Sequence, residues 1–276
     1  MGEGRIEVRA HAKINVFLRV LGRREDGYHD IESLVLPVSL ADELAFEPFH
    51  EIRTEIVGSD VGEPNLVTVA AEALARTCGS KGARIRLEKR IPVAAGLGGG
   101  SADAAATLVA LNDLWECGLT GEQVMKVAAG IGSDVPALLH GRPVVIRGRG
   151  EMVERADVAP TWWVLVPQSF AVPTADAYGW WDLAGSTGAD PAPLLEAART
   201  GRIEELAGLL FNDLEREVAT RNPAVADARL AALEAGALGV VMSGSGPTVA
   251  ALVHDQDQAR RIATDLPGSI PVSAPP

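Results

Sequence analysis

The stretch PVAAGLGGGSADAAATL, residues 92–108, holds four glycines, six alanines and few bulky side chains. Glycine has no Cβ, so backbone N–H groups here can come close to a ligand. A helix N-terminus adds unpaired N–H donors and the positive end of a dipole. A glycine loop running into a helix is therefore suited to phosphate. Gly96, Gly98, Gly99 and Gly100 lead into Ser101 and a predicted helix over 102–118, whose Ala102, Ala104, Ala105 and Ala106 allow close packing of the first turns. Ser101 suits a helix cap, or a hydroxyl offered to phosphate or to Mg²⁺.

Two common phosphate loops do not match. A P-loop needs Lys before its Ser or Thr, and here Gly100 precedes Ser101 directly. A dinucleotide fingerprint needs a third glycine at position 101 and a buried strand before it, but the preceding ARIRLEKRIP (83–92) alternates with charges and reads as half-exposed. The bland alternative is a tight turn before a small-residue helix.

Working outward, strands and helices mix without a regular βαβ alternation, which argues α+β. IEVRAHAKINVFLRVLG (6–22) reads as one or two strands, GRREDGYHD (22–30) as a loop turning at Asp26-Gly27, and 31–48 as strand, turn, strand. NLVTVAAEALARTCG (65–79) reads as a helix closed by Gly79. Further helices are expected at 120–132, from 133, at 173–185, over most of 190–236 and at 255–266. A hairpin is expected at 142–155, a strand at 162–168, strand–glycine turn–strand at 238–253, and a frayed tail from 267. The expected division is 1–157 and 158–276.

The 276 residues suffice for a real core, and 47% hydrophobic with 22% charged residues is ordinary for a globular protein. The net charge of −12 argues against a nucleic-acid surface. Any phosphate ligand must then be held by local amides and a few placed cations. The apolar runs are too short to span a bilayer, and no signal pattern opens the chain, so the expected compartment is the cytoplasm. Cys78 and Cys117 have no metal-type spacing and are expected as free thiols.

Taken together, PVAAGLGGGSADAA, AKINVFLRVLGRREDGYHDIESL (12–34), GSDVPALL (132–139) and MSGSGPTVAAL (242–252) resemble the GHMP kinases, the group that includes galactokinase, homoserine kinase and mevalonate kinase. The long AKxNxxLxVxGxRxDGYH pattern is similar to members that act on a cytidyl-linked polyol of the non-mevalonate isoprenoid route. The resemblance implies a two-domain α+β fold with the active site in the cleft between domains. It implies transfer of the ATP γ-phosphoryl to the polyol 2-hydroxyl, with Mg²⁺, by a monomer or weak homodimer.

Residue by residue, the resemblance assigns ATP to Pro92, Val93, Ala94, Ala95, Gly96, Leu97, Gly98, Gly99, Gly100, Ser101 and Ala102, with Ser101 toward the metal. Lys13 reads by spacing alone as a strand lysine reaching solvent. The resemblance sets it beside the transferring phosphoryl, paired with Asp134. Asp134 reads independently as a helix-start residue before Pro136. Asn65 reads as an N-cap, and the resemblance puts it near the nucleotide. Asn15 is implied at the acceptor. Ser243 and Gly244 are implied in a substrate-binding turn that lines the cleft near the reacting phosphates and otherwise reads as a plain hairpin turn. Tyr28, His29 and Tyr178 are implied at the cytosine, with Trp180 and Trp181 as competitors for the Tyr178 role. Many members carry Ser-Ser-Asn where this chain has Ser101-Ala102-Asp103, which removes one hydroxyl and leaves the role of Asp103 open.

Overall fold

A computed structural model of the chain describes residues 4–59, 61–62, 65–79, 81–185 and 188–275. Apolar alternation from Ile6 makes one strand, β1 (Ile6–Arg23), rather than two. Its pattern changes midway: exposed and covered residues alternate up to His11, and every residue from Ala12 to Leu18 is buried. β2 (His29–Phe49) also runs unbroken, so the turn expected within 31–48 does not form. Pro37, which suggests that turn, lies between Val35, paired to β5 (Val144–Gly148), and Glu43, paired to β4 (Gly82–Glu88). A residue without an N–H is tolerated where the neighbouring strand changes.

The other elements follow in chain order. β3 (Ile52–Val57), in a stretch without an expected element, is joined through α1 (Leu66–Cys78) to β4, and the two strands pair parallel. α2 (Gly99–Leu114), α3 (Gly121–Ala129) and α4 (Val135–Leu139) come next, then β5, β6 (Met152–Arg155) and β7 (Thr161–Val166). The second half holds α5 (Thr174–Ala184), α6 (Ala192–Thr200), α7 (Ile203–Leu209), the short β8 (Phe211–Asn212), α8 (Glu215–Arg221) and α9 (Pro223–Glu234). β9 (Gly239–Met242), β10 (Val249–Val253), α10 (Gln256–Asp265) and β11 (Ile270–Ala274) close it. The tail expected to fray is thus ordered: β11 pairs antiparallel with β7 over Ile270–Ala274.

The chain forms two compact units, each drawn from three segments of the sequence. One comprises Met1–Ala12, Leu40–Val93 and Gly98–Gly141. It orders its strands β3-β4-β2-β1 and lays α1 and α2 on them around Leu44, Phe46, Leu74, Ile85, Leu87, Leu108 and Leu111, all buried. β4 alternates buried and exposed residues, as its charge pattern implies. The other unit comprises Lys13–Ser39, Ala94–Leu97 and Arg142–Pro276. Here β1 pairs parallel with β8, β2 pairs with the β5–β6 hairpin, and a separate sheet is ordered β11-β7-β10-β9. β9 and β10 are wholly buried, which is why they read as continuous apolar runs. β1 and β2 are long enough to give a segment to each unit. A boundary at 157 therefore describes order along the chain, not the compact units.

The cysteines correct one expectation. Cys78 at the end of α1 and Cys117 after α2 are bonded to each other across 39 positions, and no free cysteine stands among the described residues. α1 and α2 pack side by side, which brings together two ends whose sequence spacing carries no pairing signal.

Candidate active site

The glycine stretch is shaped by left-handed backbone. Ala94, Gly96 and Gly98 have φ of 52°, 76° and 68°. Gly98 is the residue before α2, and no side chain caps that helix. The first helical bond runs from Ala102 N–H to the Gly98 carbonyl. The N–H groups at the start of α2 are thus left for an anion. Ser101 lies inside the first turn, not at the cap, because Gly98 starts the helix earlier than alanine patterning suggests. Its hydroxyl suits phosphate or Mg²⁺ but caps nothing.

Lys13 does not reach solvent; it is buried at 4% exposure. Its Nζ donates to Asn15 Oδ1 at 2.7 Å and to the Gly96 carbonyl at 2.9 Å. Asn15 is oriented from its other end, since its Nδ2 donates to Ser33 Oγ at 2.7 Å. Ser243 Oγ accepts from Asn15 N–H at 3.3 Å and donates to the same Gly96 carbonyl at 2.9 Å. The 243–246 turn is held by Asn212, whose Nδ2 donates to the Met242 and Gly244 carbonyls, each at 2.7 Å. Gly244 has φ +58°, and a Cβ there would stand 2.9 Å from Lys13 Nζ. Lys13, Asn15, Gly96, Ser243 and Gly244 are thus brought together. Asn212 and Ser33 were not foreseen, since a lone Asn or Ser in an apolar run carries no sequence signal.

The GYH loop makes a second cluster. His29 stacks on Tyr178, with ring centroids 4.7 Å apart, and meets Trp181 edge-on at 5.8 Å. Its Nε2 is 2.7 Å from Asp182 Oδ1. Tyr28 is 53% exposed, with the Arg149 guanidinium 4.8 Å from its ring centroid. Trp180 is engaged elsewhere, under Arg221. Of the three aromatics in PTADAYGWW, Tyr178 is the one stacked on His29, because i and i+3 share a helix face and Trp181 takes the buried position.

In the other unit, Asn65 Oδ1 accepts from Val67 N–H at 2.8 Å, so the expected N-cap forms. Asp134 occupies the N-cap position of α4 but makes no capping side-chain bond there, and it is partly buried. Asp103, whose role was open, is buried beside Lys89 and Asp42. Lys89 Nζ donates to Asp42 Oδ2 at 2.5 Å and to Asp103 Oδ2 at 2.9 Å. Asp42 Oδ1 also accepts from the backbone N–H groups of Arg90 and Ile91. Asp103 Oδ1 has no hydrogen-bond partner. Burial pushes the Asp103 carboxyl up to about 7; Lys89 opposes that shift and Asp42 adds to it.

Two outcomes follow from this geometry. A Cβ on Gly96 would stand 2.3 Å from the Ser243 carbonyl oxygen and 2.8 Å from that of Gly246, whereas one on Gly118, also at positive φ, meets nothing within 4 Å. Gly96→Ala should cost about 2–3 kcal/mol in urea unfolding and Gly118→Ala only about 1 kcal/mol. Between pH 4 and 7 native Asp103 keeps its proton while the unfolded chain has released it, so this group's stabilisation falls as pH rises toward 7. Asp103→Asn has no carboxyl to ionise. Its stability relative to wild type should rise from pH 5 to pH 8 by about 1–4 kcal/mol, read from urea midpoints at both pH values.

The chain is similar to known proteins over nearly its whole length. Residues 65–142 match the GHMP kinases N terminal domain, and residues 194–270 match GHMP kinases C terminal. It is 44% identical over 261 residues to the 4-diphosphocytidyl-2-C-methyl-D-erythritol kinase of Pelotomaculum thermopropionicum, covering 92% of this chain and 91% of that one. It is 42% identical over 264 residues to the enzyme of the same name from Symbiobacterium thermophilum, covering 93% and 94%. A crystal structure of 4-(cytidine 5'-diphospho)-2C-methyl-D-erythritol kinase superposes with a TM-score of 0.86 at 34% identity, covering 98% of this chain and all of the other. With both segments matched and these identities, the chain belongs to the GHMP kinases.

Proposed function

We propose that this GHMP kinase transfers the γ-phosphoryl of ATP to the 2-hydroxyl of 4-diphosphocytidyl-2-C-methyl-D-erythritol. The full-length likeness to enzymes bearing that name carries the reading. The glycine stretch supports the ATP half. The residues 92–102 would cradle the phosphates with backbone N–H groups, and Asn65 would lie near the nucleotide while capping α1. In the transfer, the acceptor oxygen attacks the γ-phosphorus, the bond to the β-γ bridging oxygen breaks, ADP leaves, and the hydroxyl proton passes to a base.

Asp134 is the proposed acceptor of that proton, or the group that orients the hydroxyl. Lys13 would neutralise charge at the γ-phosphoryl; its ammonium is already fixed by Asn15 and Gly96, so little reorganisation is needed. Asn15, Ser243 and Gly244 would line the acceptor polyol. Tyr28 and Tyr178 would stack on the cytosine, and His29, with Nε2 held by Asp182, would meet the base edge through Nδ1. Mg²⁺, when bound, would neutralise phosphate charge. Among the described residues no group of three or more His, Cys, Asp or Glu side chains is arranged to hold a metal, which favours Ser101, water and the phosphates as its ligands.

The net charge of −12 supports a chain without a nucleic-acid partner. Among the described residues no helix is long and apolar enough to cross a membrane. We place the protein in the cytoplasm on its need for ATP rather than on its cysteines, which are bonded, and as a monomer or weak homodimer. The sequence division is kept at 157, within the stretch separating the two matched segments.

An ADP-release assay with Mg²⁺-ATP should show turnover with the cytidyl substrate and none with homoserine or mevalonate; the reverse pattern would discard the cytosine pocket. Asp134→Ala should lower kcat by about 10²–10⁴-fold with ATP affinity retained. Tyr28→Ala should raise KM for the cytidyl substrate about tenfold, from the lost stacking, with KM for ATP unchanged.

A further inference from the structure

The buried Asp42–Lys89–Asp103 cluster has no part in the transfer chemistry, yet it lies under the start of α2. Three elements meet in it: Asp42 comes from β2, Lys89 directly follows β4, and Asp103 stands in the first turns of α2. The exposures of the three residues are 0%, 8% and 2%. A Cβ on Gly99 would stand 3.2 Å from Lys89 Nζ and 3.0 Å from Ile91 Cγ2. The ammonium therefore sits directly beneath Gly99, where α2 opens, and even a methyl group there would be a tight contact.

Charged groups are rarely buried without strong geometric reason, because desolvation costs as much as the pairing returns. Here Asp42 is tied to β2 by the chain and to the Arg90 and Ile91 N–H groups by hydrogen bonds, so its position is set before α2 is considered. Lys89 carries that position across to Asp103, and Asp103 carries it to the helix. The guanidinium of Arg90 turns outward to Glu43 and Glu88, so only its backbone N–H belongs to the cluster. The helix itself has no capping side chain at its start. Its first turn is instead held from below.

We propose that Asp103 is a positioning residue for ATP: through Lys89 and Asp42 it fixes the first turn of α2, so that the N–H groups of that turn are preset for the nucleotide phosphates. The inference rests on the reading that the glycine stretch holds those phosphates. It assigns Asp103 no contact with either substrate. Loss of the tie should loosen the turn, and the entropy of ordering it should then be met when ATP binds. That raises KM for ATP and leaves the transfer step alone.

The test compares Asp103→Ala, Asp103→Asn and Gly98→Ala with wild type, measuring kcat, KM for ATP and KM for the cytidyl acceptor. Asp103→Ala keeps the Lys89–Asp42 pair, so the chain should fold. It should raise KM for ATP about tenfold, with kcat and the acceptor KM within about twofold. Asp103→Asn retains an oxygen acceptor for Lys89 and should restore wild-type values. If Asp103→Ala fails to fold, Asp103→Ser, too short to reach Lys89, carries the same expectation. An unchanged KM for ATP, a fall in kcat alone, or an Asn variant as impaired as Ala overturns the inference. Gly98→Ala separates the two levels. If it leaves KM for ATP untouched, the phosphate-loop reading fails and the inference with it. If it raises KM for ATP while Asp103→Ala does not, the inference alone fails.

Discussion

One carbonyl oxygen organises the buried polar network around Lys13. Gly96 O accepts from the buried ammonium of Lys13 and from the hydroxyl of Ser243, residues separated from it by 83 and 147 positions. Both donors need Gly96 in a conformation that only glycine adopts readily, and both need its backbone nearly touching the 243–246 turn. The lysine cannot then wander, because burial makes an unsatisfied ammonium costly. Asn15, Ser33 and Asn212 extend the same network, each orienting the next donor or acceptor. The result is a buried ammonium held in one place by Asn15 and Gly96, a geometry that would suit the role proposed for Lys13 beside the transferring phosphoryl.

The start of α2 is set by a different device. Gly98 supplies the left-handed turn that begins the helix, and its first turn is supported from beneath by Lys89 and two carboxylates rather than from its end by a cap. This leaves the end itself open for an anion. A capping side chain would compete with phosphate for the same N–H groups. The cost appears in Asp103, whose carboxyl is buried with one oxygen unpartnered and is pushed up toward neutrality.

Much of the local structure around the candidate site was legible in the sequence because its signals are local. The glycine–serine loop, the Asp-Gly turn before Tyr28 and His29, and the glycine turn at 243–246 each announce themselves by composition within a few residues. The same holds for the caps at Asn65 and Gly79 and for the charged alternation of β4. The misreadings also have local causes. Pro37 looks like a turn, but sits in one long strand where the pairing partner changes. The tail rich in proline and serine looks frayed, but supplies an edge strand to β7. Ser101 looks like a cap, but Gly98 begins the helix earlier.

The amino-acid sequence by itself determined the α+β class, the glycine loop that opens a helix and the family, since these depend on residue types at short, fixed spacings. Only the tertiary structure decided that Lys13 is buried rather than solvated, that Tyr178 and not Trp180 stacks on His29, that Cys78 meets Cys117, and that Asp103 answers to Lys89. Each of these depends on which distant segments share an interior. That is set by packing summed over the whole chain, and no window of sequence contains it.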